Sequence, residues 1–245
     1  MSLRELQDGL RGKVALVTGA SAGLGWATAL AFAAEGVRVV GTARRAERLR
    51  ELAAVIAEKG VERAMVAGDA SDPATAKEAV DLCYNRFGRL DFLINNAGVG
   101  SYKQLVDTTV AEYDEIMAAN MRSSFVFAHA AAPRMIRQRS GTMVFVSSVA
   151  GLKGTGNEAV YSASKFAQVG FAEALDEELR PFGIKVCALC PGGMKTEFAV
   201  GRGRTEEGVT KSKMMDPAEV ADAILFACMQ PENVRLIQAT LRNMG

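Results

Sequence analysis

The chain of 245 residues holds a single histidine, His129, and only four cysteines. One histidine rules out a multi-histidine metal site and leaves little room for a His-centred triad, so no metal is expected. Cys83, Cys187, Cys190 and Cys228 are too few and too scattered for a disulfide framework. Cys187 and Cys190 do form a C-x-x-C, but within the apolar run I-K-V-C-A-L-C-P. Residues three apart on a strand point to opposite faces, so the pair is expected to be structural. Proton chemistry must then come from Tyr, Lys, Asp, Glu or Cys.

Charge of one sign is also missing. A formal net charge of +1 argues against a nucleic-acid surface or an acidic tail. No apolar run reaches the length needed to span a bilayer, and no signal-peptide pattern opens the chain, so a cytoplasmic protein without membrane contact is expected. Residues 1–10 read as a short lead-in. What the chain does have is apolar residues, 49% of the total, enough for a full core. There is no linker, internal repeat or low-complexity stretch, so residues 1–245 are expected to form one domain.

The stretch from Ser148 to Lys165, S-V-A-G-L-K-G-T-G-N-E-A-V-Y-S-A-S-K, concentrates the candidate chemistry. Tyr161 and Lys165 are four apart at the start of a helical pattern, which puts phenol and ammonium on one face with Cβ atoms about 6 Å apart. A unit charge at about 4 Å contributes roughly 4 kcal/mol at an effective dielectric near 20. Together with a cationic cofactor, that is enough to bring a tyrosine from about 10 toward neutral pH, where a general acid/base works best. Ser148, at the end of T-M-V-F-V-S, is suited to hydrogen-bond a substrate oxygen. Each piece has an ordinary reading as well: a helix face, or a serine capping a strand end.

In chain order, K-V-A-L-V-T is a strand followed by G-A-S-A-G-L-G and a helix, the order of a phosphate cradle. The spacing is G-x-x-x-G-x-G rather than G-x-G-x-x-G. A second strand over 38–42 ends without an acidic residue and runs into Arg44 and Arg45. An acid there would take the ribose hydroxyls of NAD and repel a 2′-phosphate. Two arginines instead favour NADP, since a guanidinium matches phosphate bidentately. Strands over 64–67 (ending at Asp69), 92–94 (ending at N-N-A-G), 142–147, 185–189 and 235–240 alternate with helices. A long helix over 110–139 carries Asn120, and Pro133 inside it implies a kink or a break close to Ala132. This alternation implies a parallel sheet covered on both faces, with ligands at the strands' carboxyl edge. Residues 197–215 are the least regular and read as a flap beside the site or a surface loop.

Taken together, T-G-A-S-A-G-L-G at 18–25, Asp69, N-N-A-G at 95–98, Asn120, Ser148, Y-S-A-S-K at 161–165 and P-G-G-M-K-T at 191–196 resemble the short-chain dehydrogenase/reductase family. The resemblance runs from Gly12 to Leu241. It implies a Rossmann-type α/β domain, a doubly wound seven-stranded parallel sheet with helices on both faces. It also implies an oxidoreductase passing a hydride between NADP(H) and a carbonyl or secondary alcohol. By position, Tyr161 is the acid/base and Lys165 lowers its pKa while holding the nicotinamide ribose. Ser148 orients the substrate oxygen, and Asn120 supports a water-linked proton path. The loop residues Gly19, Ser21, Gly23, Leu24 and Gly25 would admit the pyrophosphate. Asp69 and Ala70 would flank the adenine, and Asn96, Ala97 and Gly98 the adenosine ribose. Pro191, Gly192, Met194 and Thr196 would fix the carboxamide. NADPH is the expected cofactor over NAD, a small molecule the partner, and a homo-oligomer, tetramer or dimer, the assembly. The C-terminal R-L-I-Q-A-T-L-R-N-M-G departs from the D-G-G-type ending of 3-oxoacyl-acyl-carrier-protein reductases, which stay an alternative. A nicotinamide-sensing protein without turnover is another, although it would have no need of Ser148, Tyr161 and Lys165 together.

Overall fold

Alternate residues of the first strand go to opposite sides of one sheet. Val14 and Leu16 of β1 (Val14–Thr18) pack with one apolar cluster, and Ala15 and Val17 with the other. Both clusters are dry, as expected of a strand covered on both faces and apolar throughout. The computed structural model describes residues 3–244; Met1, Ser2 and Gly245, the ends of the expected lead-in and domain, lie outside them. The remaining strands are β2 (Arg38–Ala43), β3 (Arg63–Ala67), β4 (Phe92–Asn95), β5 (Gly141–Val146), β6 (Ile184–Pro191) and β7 (Gln238–Leu241). They form one sheet in the order β3-β2-β1-β4-β5-β6-β7, every neighbouring pair parallel. This is the expected doubly wound sheet, and its order reverses between β1 and β4.

The helices α2 (Gly23–Ala34), α3 (Ala46–Glu58) and α9 (Pro217–Cys228) bury their apolar residues on one face of the sheet. On the other face lie α4 (Pro73–Phe87), α6 (Ser123–Gln138) and α7 (Ala159–Leu179). The remaining helices are α1 (Leu3–Asp8), α5 (Val110–Met117) and α8 (Glu206–Lys211). Cys187 and Cys190 go to opposite faces, and all four cysteines are buried free thiols. Helix ends follow local chemistry. The Asp72 carboxylate accepts from Ala74 N–H at 3.0 Å with Pro73 in the first turn, and Gly88 closes α4 at φ 78°. No helix among the described residues is long and apolar enough to cross a membrane.

Two expectations are corrected, and one is filled in. The lead-in contains a short helix, α1. The long helix over 110–139 is not interrupted at Pro133, which sits inside an unbroken α6. The carbonyl that loses its partner there belongs to His129, an exposed residue where solvent can satisfy it. The irregularity lies eleven residues earlier, in a π turn, Ala118–Arg122, which separates α5 from α6 and contains Asn120. The last strand begins at Gln238, opposite Ala188 of β6, rather than at Arg235. Arg235 is instead ion-paired with the buried Asp176 of α7.

Candidate active site

The carboxyl ends of the strands open into a cleft of about 1060 Å³. The turn after β1 is built for close approach. Gly19 and Gly23 have φ 67° and 52°, in the left-handed region. A Cβ on Gly25 would sit 2.3 Å from the Gly19 carbonyl oxygen, so no side chain fits there. Ala22 precedes α2 without a side-chain cap, which leaves the first N–H groups of that helix for an anion. These features fit a dinucleotide pyrophosphate.

Beside this cradle, Arg45 donates to the Ser21 hydroxyl at 3.2 and 3.1 Å and pairs with Glu197. Arg44 is exposed and has no ion pair among the described residues. β2 ends at Ala43 with no acid to follow. The Asp69 carboxylate accepts from the N–H and hydroxyl of Ser71, both at 2.8 Å, which holds its pKa below the usual carboxylate value. In N-N-A-G the side chain of Asn96 is turned inward, donating to Thr18 O at 2.9 Å. The Thr18 hydroxyl in turn accepts from the N–H groups of Asn96 and Ala97, each at 2.9 Å. Asn96 thus ties the ends of β1 and β4 together and offers the cleft mainly its backbone.

Ser148 follows β5, and its hydroxyl accepts from Ala150 N–H at 3.1 Å. Tyr161 and Lys165 project from the first turns of α7, both buried, and both line the cleft with Ser148. The Lys165 Nζ lies 5.8 Å from the Tyr161 ring centre. Burial pushes the Tyr161 phenol well up, against smaller downward pulls from a hydrogen bond with Ser148 and from the Arg204 charge. Burial also pulls Lys165 down from 10.5 to about 7, with the nearby Cys190 acting the other way. The chain by itself therefore does not hold a low-pKa tyrosine. The ammonium is directed at the Val146 carbonyl, 2.9 Å, and Gln168 Oε1, 2.7 Å, rather than at the phenol oxygen.

Every residue expected at the site lines the cleft except Gly25 and Asn120, which lie behind it. Asn120 is fully buried in the π turn. Its Oδ1 accepts from Val99 N–H at 2.7 Å, and its Nδ2 donates to Val99 O at 3.0 Å and Ser164 Oγ at 2.8 Å. Gly98 allows this packing, since a Cβ there would meet Asn120 Oδ1 at 2.8 Å and Lys165 Nζ at 3.7 Å.

The far side of the cleft is a roof that no motif announced. The expected flap, 197–215, contains α8 and is anchored by a bridge between Met194 and Met215. It lies on the loop after β4, where Tyr102 N–H donates to Arg202 O at 2.9 Å. Tyr102 and Phe198 stand 6.4 and 5.9 Å from the Tyr161 ring. Arg204 donates to the Tyr102 hydroxyl at 2.6 Å and lies over both rings, at 5.0 and 5.9 Å. Glu158 completes this wall, its carboxyl raised by burial and lowered by Arg204. Gln168 was also missed, although its spacing of seven from Tyr161 and three from Lys165 is the signal of a shared helix face.

Comparison with known proteins gives this geometry a family. The short chain dehydrogenase profile matches residues 13–207. An uncharacterized oxidoreductase of Staphylococcus aureus is 32% identical over 233 residues, 95% of this chain and 98% of that protein. Among solved structures, a metagenomic short-chain oxidoreductase in complex with NADP superposes with a TM-score of 0.83 at 31% identity, covering 96% of this chain and 98% of that one. A short chain dehydrogenase from Mycobacterium paratuberculosis bound to NAD superposes at 0.87 and 25% identity, covering 95% and 97%. The chain belongs to the short-chain dehydrogenase family and is an oxidoreductase of that type.

Proposed function

We propose that this oxidoreductase reduces a small-molecule carbonyl with NADPH, and oxidises the corresponding secondary alcohol in reverse, with Tyr161 as the proton donor and acceptor. The observation that carries this reading is the meeting of Ser148, Tyr161 and Lys165 on one wall of the cleft, with Tyr161 held protonated by burial. A protonated phenol is the form that reduction needs, because negative charge develops on the carbonyl oxygen and a donor must meet it. NADPH, when bound, supplies the hydride. Ser148 steers the substrate oxygen toward Tyr161, and Lys165 holds the nicotinamide ribose and favours the phenolate once the proton has left. Tyr102 and Phe198 shield this centre from water.

The preference for the phosphorylated cofactor rests on Ser21, Arg44 and Arg45 at the end of β2, where no acid follows the strand. Glu197 engages Arg45, while Arg44 has no ion pair among the described residues. The solved relatives include an NADP complex and an NAD complex, so the family by itself does not choose. A homo-oligomer fits the apolar side chains left exposed on α6 and α7, Phe125 and Phe166, and near β7, Val234 and Ile237. The deciding experiment is a panel of aldehydes, ketones, diketones and 3-oxo acids assayed with NADPH and NADH. NADPH-dependent turnover of at least one carbonyl is expected. Binding of the cofactor without turnover across the whole panel would replace the reading with a sensor.

A further inference from the structure

The geometry points to Gln168 as the positioning residue of the site: its amide couples the Lys165 ammonium directly to the main-chain carbonyl of Asn120. Gln168 is fully buried. Its Oε1 accepts from Lys165 Nζ at 2.7 Å, while its Nε2 donates to Asn120 O at 3.0 Å and to Ser124 Oγ at 2.7 Å. The Ser124 hydroxyl itself donates to Asn120 O at 2.8 Å, so it is free to accept from Gln168. Only one orientation of the amide satisfies both ends, because the reverse would turn an NH₂ group toward an ammonium and an oxygen toward a carbonyl. The π turn matters here, because it presents the Asn120 carbonyl to side-chain donors from α6 and α7.

An ammonium has three protons. The Val146 carbonyl and Gln168 take two of them from behind, and the third is left for the cleft, where Tyr161 stands. Gln168 therefore aims Lys165 as well as favouring its charged form. That second effect counts in a buried site, where desolvation opposes the charge. The other titratable groups facing Lys165 are Tyr161 on the same helix and Cys190 on β6. The inference rests on the reading of Lys165 as the cation that serves Tyr161, but its decisive test does not use turnover.

A lysine whose folded value lies below its unfolded one destabilises the fold while charged. The penalty is complete below about 7 and fades as pH rises toward 10.5. Gln168→Met removes both hydrogen-bonding ends at similar length and deprives the ammonium of an acceptor. In urea unfolding of the full-length, cofactor-free protein, its deficit in stability against the wild type should therefore shrink with pH, at pH 9 to about half of its value at pH 6. Gln168→Glu keeps an acceptor on Lys165 and gives up the donor to Asn120. Its deficit should grow over the same range, since the carboxylate loses its counter-charge as Lys165 deprotonates. In alcohol oxidation, the alkaline rise of kcat/KM should move up by about one pH unit in Gln168→Met, because a less charged Lys165 favours the phenolate less. Deficits independent of pH in both variants would make Gln168 a packing residue and overturn the proposal. Should Gln168→Met not fold, Gln168→Glu decides alone, a deficit growing with pH supporting the coupling and a flat one refuting it. Tyr161→Phe tests the catalytic reading separately.

Discussion

The floor and the roof of the cleft are held together in different ways. The floor, made of the turns after β1, β2, β4, β5 and β6, is fixed largely by backbone groups and by glycines too crowded for any side chain. Gly19, Gly25 and Gly98 all lie against neighbouring main-chain or amide atoms, and Thr18 with Asn96 stitches β1 to β4. The roof is fixed mostly by side chains. Arg204 lies over both Tyr102 and Phe198, and Arg202 reaches across to Glu115. A floor set by backbone geometry suits one dinucleotide, whereas a roof set by side chains changes with each substitution. The difference implies that cofactor chemistry and substrate choice can be altered separately.

That separation can be broken by experiment. The largest effect is expected from Tyr161→Phe, where floor and roof meet. Turnover should fall at least about a hundredfold, the range for loss of a general acid, with cofactor affinity little changed. A variant with near-normal kcat on a good substrate would remove the tyrosine from the mechanism. Next comes Arg44→Ala on the floor. Losing one charge-assisted contact costs about 1.5–3 kcal/mol, so NADPH should bind roughly ten- to a hundredfold more weakly and NADH almost as before. Equal losses for the two cofactors would show that Arg44 does not read the 2′-phosphate.

On the roof, Arg202 is paired with Glu115 and Lys211 with Glu207, whereas the Arg204 guanidinium, which donates to the Tyr102 hydroxyl, has no ion pair among the described residues. Arg204 is thus the flap cation best placed to meet an acidic substrate. For matched carboxylate and neutral ketones, Arg204→Ala should lower the ratio of kcat/KM values about tenfold, with both cofactor dissociation constants unchanged. A ratio near one in the wild type, insensitive to salt, would end the idea of an anionic substrate. The smallest effect is expected from Glu115→Gln, which breaks the exposed pair with Arg202. Such pairs contribute about 1 kcal/mol or less, so the thermal midpoint should drop by no more than about 4 °C. A larger drop would mean that the roof is part of the cooperative fold and not an overlay.

The same contrast explains what the sequence disclosed. The parallel sheet followed from alternating strands and helices, the glycine turn and the Tyr161–Lys165 pair from local spacing, and the other floor residues from the family resemblance. Gln168 escaped because a single polar residue in A-Q-V-G-F looks like a solvent-facing position until the buried carbonyl of Asn120 is brought against it. Arg204 escaped because its partners, Tyr102 and Phe198, come from separate loops that share no periodic pattern. Pro133 misled because proline's penalty depends on whether the orphaned carbonyl is exposed, which is a property of the fold. Burial likewise lay outside the spacing argument for Tyr161 and Lys165. Spacing gives the proximity of two side chains but not their burial, which in the chain alone raises the phenol and lowers the ammonium.

The π turn at 118–122 also bears on how this chain can change in length. Each residue of an α-helix advances the chain by about 100° around the axis. Deleting one residue from the regular part of α6 before Phe127 would rotate everything after it by about that angle relative to α5, whereas the widened turn carries one residue more than an α turn needs. Phe127, Ala131 and Met135, now buried against the sheet, would be swung away from it. A gap of one residue in the π turn keeps the faces of α6 but costs the bonds that the buried Asn120 makes to Val99 and Ser164. Among descendants of this sequence, the number of residues from Ser123 to Gln138 should stay constant while the flap at 197–215 gains and loses residues.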